Sequence, residues 1–197
     1  MSIVLASSSR TRAALLQQAG VKVTRDPARI DETEIKATSR RKGSEAGVAA
    51  MALAEAKALT VAARQPDMLV IGADQILNCN GTWLDKPRGK TDARNQIAML
   101  RGQSHELATA VCVARGADVI WHDLQRPRLT MRQFSDAFLD SYIDGLGRDD
   151  MGAVGAYRLE GAGIQLFDRI EGDYFAILGL PLTGLLEFLR GQGELMR

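Results

Sequence analysis

Ile3-Val4-Leu5-Ala6-Ser7-Ser8-Ser9-Arg10-Thr11-Arg12-Ala13-Ala14-Leu15-Leu16-Gln17-Gln18-Ala19-Gly20 is the stretch on which the reading of this chain turns. Its four apolar residues are far too few to span a bilayer and suit a short buried strand. Three serines follow. Then comes a stretch in which Leu15 and Leu16 share one face until Gly20 stops it. The unit is strand, serine-rich turn, helix, which is how an α/β fold begins. No basic leader precedes the apolar run, so it is not read as a signal peptide.

Outward from this unit the same alternation continues. Residues 21–23 make a short second strand. Residues 26–43 are polar, with Pro27 and the run Ser39-Arg40-Arg41-Lys42, and read as a mobile loop. Ser44 can cap the alanine-rich run 46–63, which is strongly helical by propensity. Residues 67–73 form a buried strand that delivers Asp74 at its C-terminal end. Asn80-Gly81 signals a tight hairpin. Residues 91–100 are amphipathic, with Ala93, Ile97 and Leu100 on one face. Residues 105–114, 119–123 and 129–134 read as strands, and Ser135 caps a helix running to about Gly145. Residues 152–163 are glycine-rich and irregular. Residues 164–170 alternate, 174–178 read as a buried strand, and Pro181 opens a last helix. Hairpins beside the central strands make the sheet mixed rather than all parallel. The expectation is one α/β domain over residues 1–197, with two lobes around a cleft.

The chain has 197 residues, 46% hydrophobic and 25% charged, which suits a globular protein with one sizeable core. Its 25 basic and 24 acidic residues leave a formal charge of +1, so nothing global draws it to nucleic acid or an anionic membrane. Basic residues are not interleaved with aromatics either. Any anion site must be local. Cys79 and Cys112 show no metal-type spacing and read as reduced thiols of a cytoplasmic protein. GxxxxGK[ST], GxGxxG and GxSxG motifs are all absent.

Small hydroxyl residues between a strand and a helix let backbone N–H groups converge on an anion, and Arg12 can fork onto phosphate oxygens. The same residues equally suit an ordinary helix cap with solvated arginines. Asp74, where an open α/β sheet places its ligands, can hold Mg²⁺, act as a base toward water, or merely cap a turn. Lys57 and Lys86 can meet a phosphate as point charges or simply face solvent. Glu32, beside Asp31, can supply a second metal-binding carboxylate or be a solvated loop acid. Glu160 lies in a glycine-rich turn that either approaches a ligand or only joins two structural units. His105 and His122 have no partner at ligand spacing and read as structural or surface residues.

Five blocks in order resemble the Maf family of nucleotide pyrophosphatases, the septum-formation-inhibitor-like proteins. They are Leu5-Ala6-Ser7-Ser8-Ser9 with Arg12 and Leu15-Leu16; Asp31-Glu32; Ala54-Glu55-Ala56-Lys57-Ala58; Ile71-Gly72-Ala73-Asp74 with Asp85-Lys86-Pro87; and Gly155-Ala156-Tyr157 through Ile170-Glu171-Gly172-Asp173-Tyr174 to Gly179-Leu180-Pro181-Leu182. They span almost the whole chain. The resemblance implies an elongated mixed β-sheet with flanking helices, similar to the inosine-triphosphate pyrophosphatase fold. It also implies Mg²⁺- or Mn²⁺-dependent release of pyrophosphate from nucleoside triphosphates, in the housekeeping of nucleotide pools. It assigns Ser7, Ser9 and Arg12 to the triphosphate and Glu32 and Asp74 to metal and water, with Asp74 the base. Lys57 and Lys86 would neutralise phosphate charge. It suggests a homodimer, although no apolar stripe in the sequence demands one. The other reading is a nucleotide-binding regulator of septum formation with little turnover.

The chain departs from the family pattern at four positions. Arg10 and Thr11 stand where Pro and a first Arg are usual. Gln75 follows the key Asp in place of Thr, and Glu160 replaces Gln. Gln75 and Glu160 fall at the base end of the family's pocket, so they bear on which nucleotide is bound. An ionised Glu accepts hydrogen bonds only, which suits a base edge presenting donors, such as guanine N1–H and N2–H₂.

Overall fold

A computed structural model describes residues 3–147 and 150–196. β1 (Ile3–Leu5) and α1 (Arg10–Gln18) realise the opening unit, and the second strand, β2 (Val23–Arg25), lies two residues later than the expected 21–23. Ser9 Oγ accepts the Arg12 backbone N–H and starts α1; Gly20, at φ 77°, supplies the left-handed turn beyond its end.

Residues read as a mobile loop contain α2 (Glu32–Arg41), and the correction has a local cause. Asp31 Oδ1 accepts the Glu34 N–H at 2.9 Å. Glu32 and Glu34 occupy the positive end of the helix dipole, and Arg40 and Arg41 the negative end. Glu34 Oε1 then accepts from Thr38 Oγ1 at 2.9 Å and Arg41 Nη2 at 2.8 Å, one and two turns on.

α3 (Ala46–Ala62) begins after Glu45 rather than at Ser44. β3 (Leu69–Cys79) runs through Asp74 instead of stopping there, a second correction. Ile76, Leu77 and Cys79 remain buried beyond it, so the apolar strand pattern continues. Asn80 and Gly81, at φ 51° and 84°, then turn the chain into β4 (Thr82–Leu84). Next come α4 (Lys90–Leu100), β5 (Ser104–Arg115), β6 (Asp118–Gln125), β7 (Arg128–Met131) and α5 (Asp136–Gly145). Ser135 caps α5 as its position predicts, accepting from the Phe138 N–H at 3.2 Å.

Single 3-10 turns at Asp150–Gly152 and Val154–Ala156 and a longer one at Ala162–Leu166 lead to β8 (Phe167–Glu171). The apolar run read as a strand after Asp173 is instead the short helix α6 (Tyr174–Ile177), begun by Asp173 Oδ1 accepting the Ala176 N–H at 2.6 Å. α7 (Leu182–Gly191) follows Pro181.

The strands pair in the order β2-β1-β3-β5-β7-β8, with β4 on β3 and β6 on β5. β1 is parallel to β2 and β3, whereas β4, β6, β7 and β8 pair antiparallel with their neighbours. The sheet is therefore mixed, with helices packed on it. The chain forms two compact units: Met1–Gln75 with Ala108–Arg126 and Asp173–Arg197, and Ile76–Leu107 with Pro127–Gly172. In the first, Ile3, Leu5, Leu69, Ile71 and Ala73 pack with Leu15 and Leu16 of α1 and Leu185 and Leu189 of α7. In the second, α4 packs on α5 and β7 on β8. No helix among the described residues is long and apolar enough to cross a membrane.

Candidate active site

Alternation along β3 gives the site its two sides. Leu69, Ile71 and Ala73 enter the core with α1 and α7, so Gly72 and Asp74 point to the opposite face. There α3 lies close. A Cβ added to Gly72 would collide with the Ala54 carbonyl and lie 2.8 Å from Ala58 Cβ. Only glycine permits this approach, and the approach brings Lys57, one turn along α3 from Ala54, over Asp74.

Lys57 Nζ donates to Asp74 Oδ1 at 2.9 Å and lies 2.8 Å from Glu32 Oε1. Lys57 and Asp74 are each only 8% exposed, while the Glu32 side chain is half-exposed. One ammonium thus ties a carboxylate from β3 to one from α2. Asp74 Oδ2 is buried with no hydrogen-bond partner among the described residues. A carboxylate oxygen left in that state is suited to accept a proton or to ligate a cation.

Beside β3, where the paired strand β1 ends, stands the serine loop. Ser7 Oγ accepts from the Ser9 N–H at 3.2 Å and from Arg12 Nη1 at 3.3 Å. Ser9 Oγ accepts the Arg12 N–H at 3.3 Å. Both hydroxyl oxygens therefore act as acceptors toward the protein, which leaves their protons as donors for an anion. The cap and the anion-loop readings are compatible.

Arg12 is half-buried and partly spent. Its Nε donates to Gly179 O at 2.7 Å and its Nη1 to Ala73 O at 2.9 Å. It is a brace between the segment after α6 and the strand bearing Asp74, so it does not offer the free two-pronged fork expected from sequence. Burial holds its guanidinium below the ordinary value, against the raising pull of the Asp74 and Glu32 charges.

Gln75 points away from Lys57. Its Nε2 lies 2.8 Å from Thr109 Oγ1, 3.0 Å from Ala176 O and 3.1 Å from Ile177 O. Thr109 Oγ1 also donates to Ala176 O at 3.0 Å. The amide therefore closes the C-terminal carbonyls of α6. Thr109 escaped the sequence reading, although a hydroxyl inside the apolar run of β5 was the available signal.

The structure gathers Ser7, Ser9, Arg12, Glu32, Lys57, Asp74 and Gln75 in the first unit. Lys86 and Glu160 belong to the second. Lys86 is exposed between β4 and α4. Glu160 Oε1 accepts from Arg158 Nε at 3.1 Å and Nη2 at 2.9 Å. Gly163 nearby is needed by the turn itself, because a Cβ there would lie 2.5 Å from Arg158 O.

Comparison with known proteins gives the chain's family. The family profile described as Maf-like protein matches residues 2–192. A nucleoside triphosphate pyrophosphatase of Granulibacter bethesdensis is 48% identical over 190 residues, covering 96% of each chain. Another, of Paramagnetospirillum magneticum, is 47% identical over 98% of this chain and all of its own. A 7-methyl-GTP pyrophosphatase of Rhizobium etli is 40% identical over 98% of this chain and 97% of its own. With the profile running nearly end to end and relatives near half identical at equal length, the chain belongs to the Maf-like protein family.

Proposed function

We propose that the chain is a hydrolase that converts nucleoside triphosphates to the monophosphate and pyrophosphate. The observation that carries this reading is Asp74: buried, held through Oδ1 by Lys57, with Oδ2 unpartnered. A water placed at Oδ2 gives its proton to the carboxylate and adds to the α-phosphorus. The bond from that phosphorus to the bridging oxygen breaks, and pyrophosphate leaves. Lys57 keeps the base fixed and offsets phosphate charge, a part the family resemblance gives to Lys86 as well; phosphoryl transfer depends chiefly on such positioning and charge compensation. Ser7 and Ser9 hold the triphosphate through their hydroxyl protons, and Arg12, bonded through Nε and Nη1, braces the loop and adds its charge.

The family implies a divalent cation, Mg²⁺ or Mn²⁺. Asp74 Oδ2 and the Glu32 carboxylate are hard oxygen donors that fit one, the first because it is a buried anionic oxygen without a partner. When bound, the cation would supply Lewis-acid charge at the phosphate oxygens.

For the base, Glu160 favours an edge presenting hydrogen-bond donors, such as guanine. The 7-methyl-GTP pyrophosphatase of Rhizobium etli supports this, because 7-methylguanine keeps those donors and adds positive charge. Gln75 belongs to the same proposal through its place after Asp74. A homodimer and a cytoplasmic location accompany the reading on the strength of the family resemblance.

The test is a panel of common and modified nucleoside triphosphates, with Mg²⁺ and after chelation, and with the products identified. Pyrophosphate appearing only with metal supports the proposal. Orthophosphate as sole product would make the protein a generic phosphohydrolase. Binding without turnover would leave a nucleotide-responsive regulator of septum formation. Uracil and thymine nucleotides outrunning every guanine nucleotide would dispose of the role given to Glu160.

A further inference from the structure

We propose that Arg25 is the outer cation of the triphosphate loop, orienting the loop through the Ser8 carbonyl and meeting the phosphate oxygens of the anion that the loop holds. This rests on the anion-loop reading above. β1 and β2 pair in register, with Leu5 opposite Arg25, so Arg25 leaves the sheet beside the point where β1 becomes the serine loop. Its Nη2 donates to Ser8 O at 2.6 Å, while Arg25 and Ser8 both remain exposed. The next residue fixes the end of β2. The Asp26 N–H donates to Leu5 O at 3.1 Å. The Asp26 carboxylate accepts from Arg64 Nε at 3.0 Å, Arg64 Nη2 at 2.6 Å and Gln65 Nε2 at 2.6 Å. β2 is thus clamped to the end of α3, and Arg25 has a fixed base from which to reach the loop.

Two consequences follow from the chemistry. A carbonyl at the mouth of an anion loop repels phosphate; Nη2 of Arg25 covers the Ser8 carbonyl and leaves the loop's N–H and O–H groups to face the ligand. Arg12 spends Nε and Nη1 on Gly179 O, Ala73 O and Ser7 Oγ, and position 11 is Thr. Arg25, by contrast, has one contact to the loop and the rest of its planar guanidinium facing outward, which suits an oxygen-rich anion.

Arg25→Gln and Arg25→Lys test this, with inorganic tripolyphosphate as the probe. Binding of tripolyphosphate is measured by calorimetry at two salt concentrations, beside KM, kcat and the melting temperature. Arg25→Gln is expected to weaken tripolyphosphate binding about tenfold and to raise KM similarly, with the loss on KM rather than kcat. Its binding should also depend less steeply on salt, and its melting temperature should stay within about 2 °C, as for an exposed side chain. Arg25→Lys should recover part of the binding, because charge survives while the two-sided donor geometry does not. Tripolyphosphate affinity and KM of Arg25→Gln within twofold of the parent would overturn the proposal, as would a loss that follows a lowered melting temperature. A parent protein that binds tripolyphosphate through Arg25 but turns over no nucleotide would refute the hydrolase reading and leave this one standing.

Discussion

Two buried polar pairs, one in each unit, show opposite ways of placing polar atoms in a core. In the first, Lys57 and Asp74 are both ionic, and Glu32 extends the pair toward solvent. In the second, His105 Nε2 and Tyr157 Oη lie 2.7 Å apart, with both rings packed against Phe167. Burial pushes the His105 imidazole down to about 4 and the Tyr157 phenol up, so each stays neutral near pH 7. A neutral pair sealed among aromatic rings serves packing. Each pair keeps one buried atom without a hydrogen-bond partner among the described residues, Asp74 Oδ2 and His105 Nδ1, so the difference between them is charge: an ion pair is costly to bury, a neutral one far less so. Burial alone does not distinguish the two pairs, His105 being 2% exposed and Asp74 8%; charge does.

The largest expected effect falls on the charged pair. Asp74→Asn removes the proton acceptor and should lower kcat by about a thousandfold, the scale of a lost general base. Circular dichroism and the melting temperature should show a folded protein. Turnover surviving this change would move the base elsewhere.

Next comes acid, which acts on the neutral pair. The folded-state pKa of His105 lies below its ordinary value of 6.5, so its contribution to stability is complete above pH 6.5 and is lost as pH falls toward 4. The loss should reach about 3 kcal/mol at pH 4. Denaturant midpoints across that range should show it, and His105→Phe should flatten that part of the profile.

Gly72→Ala should reach the charged pair through packing. The added Cβ meets the Ala54 carbonyl and the Ala58 side chain, so α3 must move and carry Lys57 with it. A cost of about 1–3 kcal/mol in unfolding free energy is expected, together with a lower kcat in the protein that remains folded. A lower stability with unchanged kcat would show that the Lys57 position tolerates the shift.

The smallest effect belongs to Tyr157→Phe. It leaves His105 Nε2 without a partner and should cost about 1 kcal/mol in a denaturant titration. Turnover at saturating substrate should stay at the parent level, since the pair has no place in the chemistry.

Several features are legible in the chain alone because they depend on neighbours in sequence. The strand–serine–helix opening, the Asn80-Gly81 hairpin, the alanine-rich α3 and the Ser135 cap all follow from propensity, turn chemistry and local hydrogen bonds. Even α2 was within reach. Asp31 and Glu34 stand at the capping spacing, a signal hidden by the polarity of residues 26–43. The α6 turn was not. Tyr174-Phe175-Ala176-Ile177 carries strand-forming residues, and it becomes a helical turn because Asp173 caps it while Gln75 and Thr109, on distant strands, donate to its carbonyls.

The ordered blocks along the chain determined the family and named Ser7, Ser9, Arg12, Glu32, Lys57 and Asp74 as candidates. What each touches was decided only by the fold. Arg12 became a brace, Gln75 a clasp for α6, and Lys57 the link between two acids, through bonds that join residues far apart in sequence. Sequence spacing reports composition and period. It does not report which donors are already taken, because those partners are chosen when strands and helices pack, and the small residue at Gly72 sets how closely they do so.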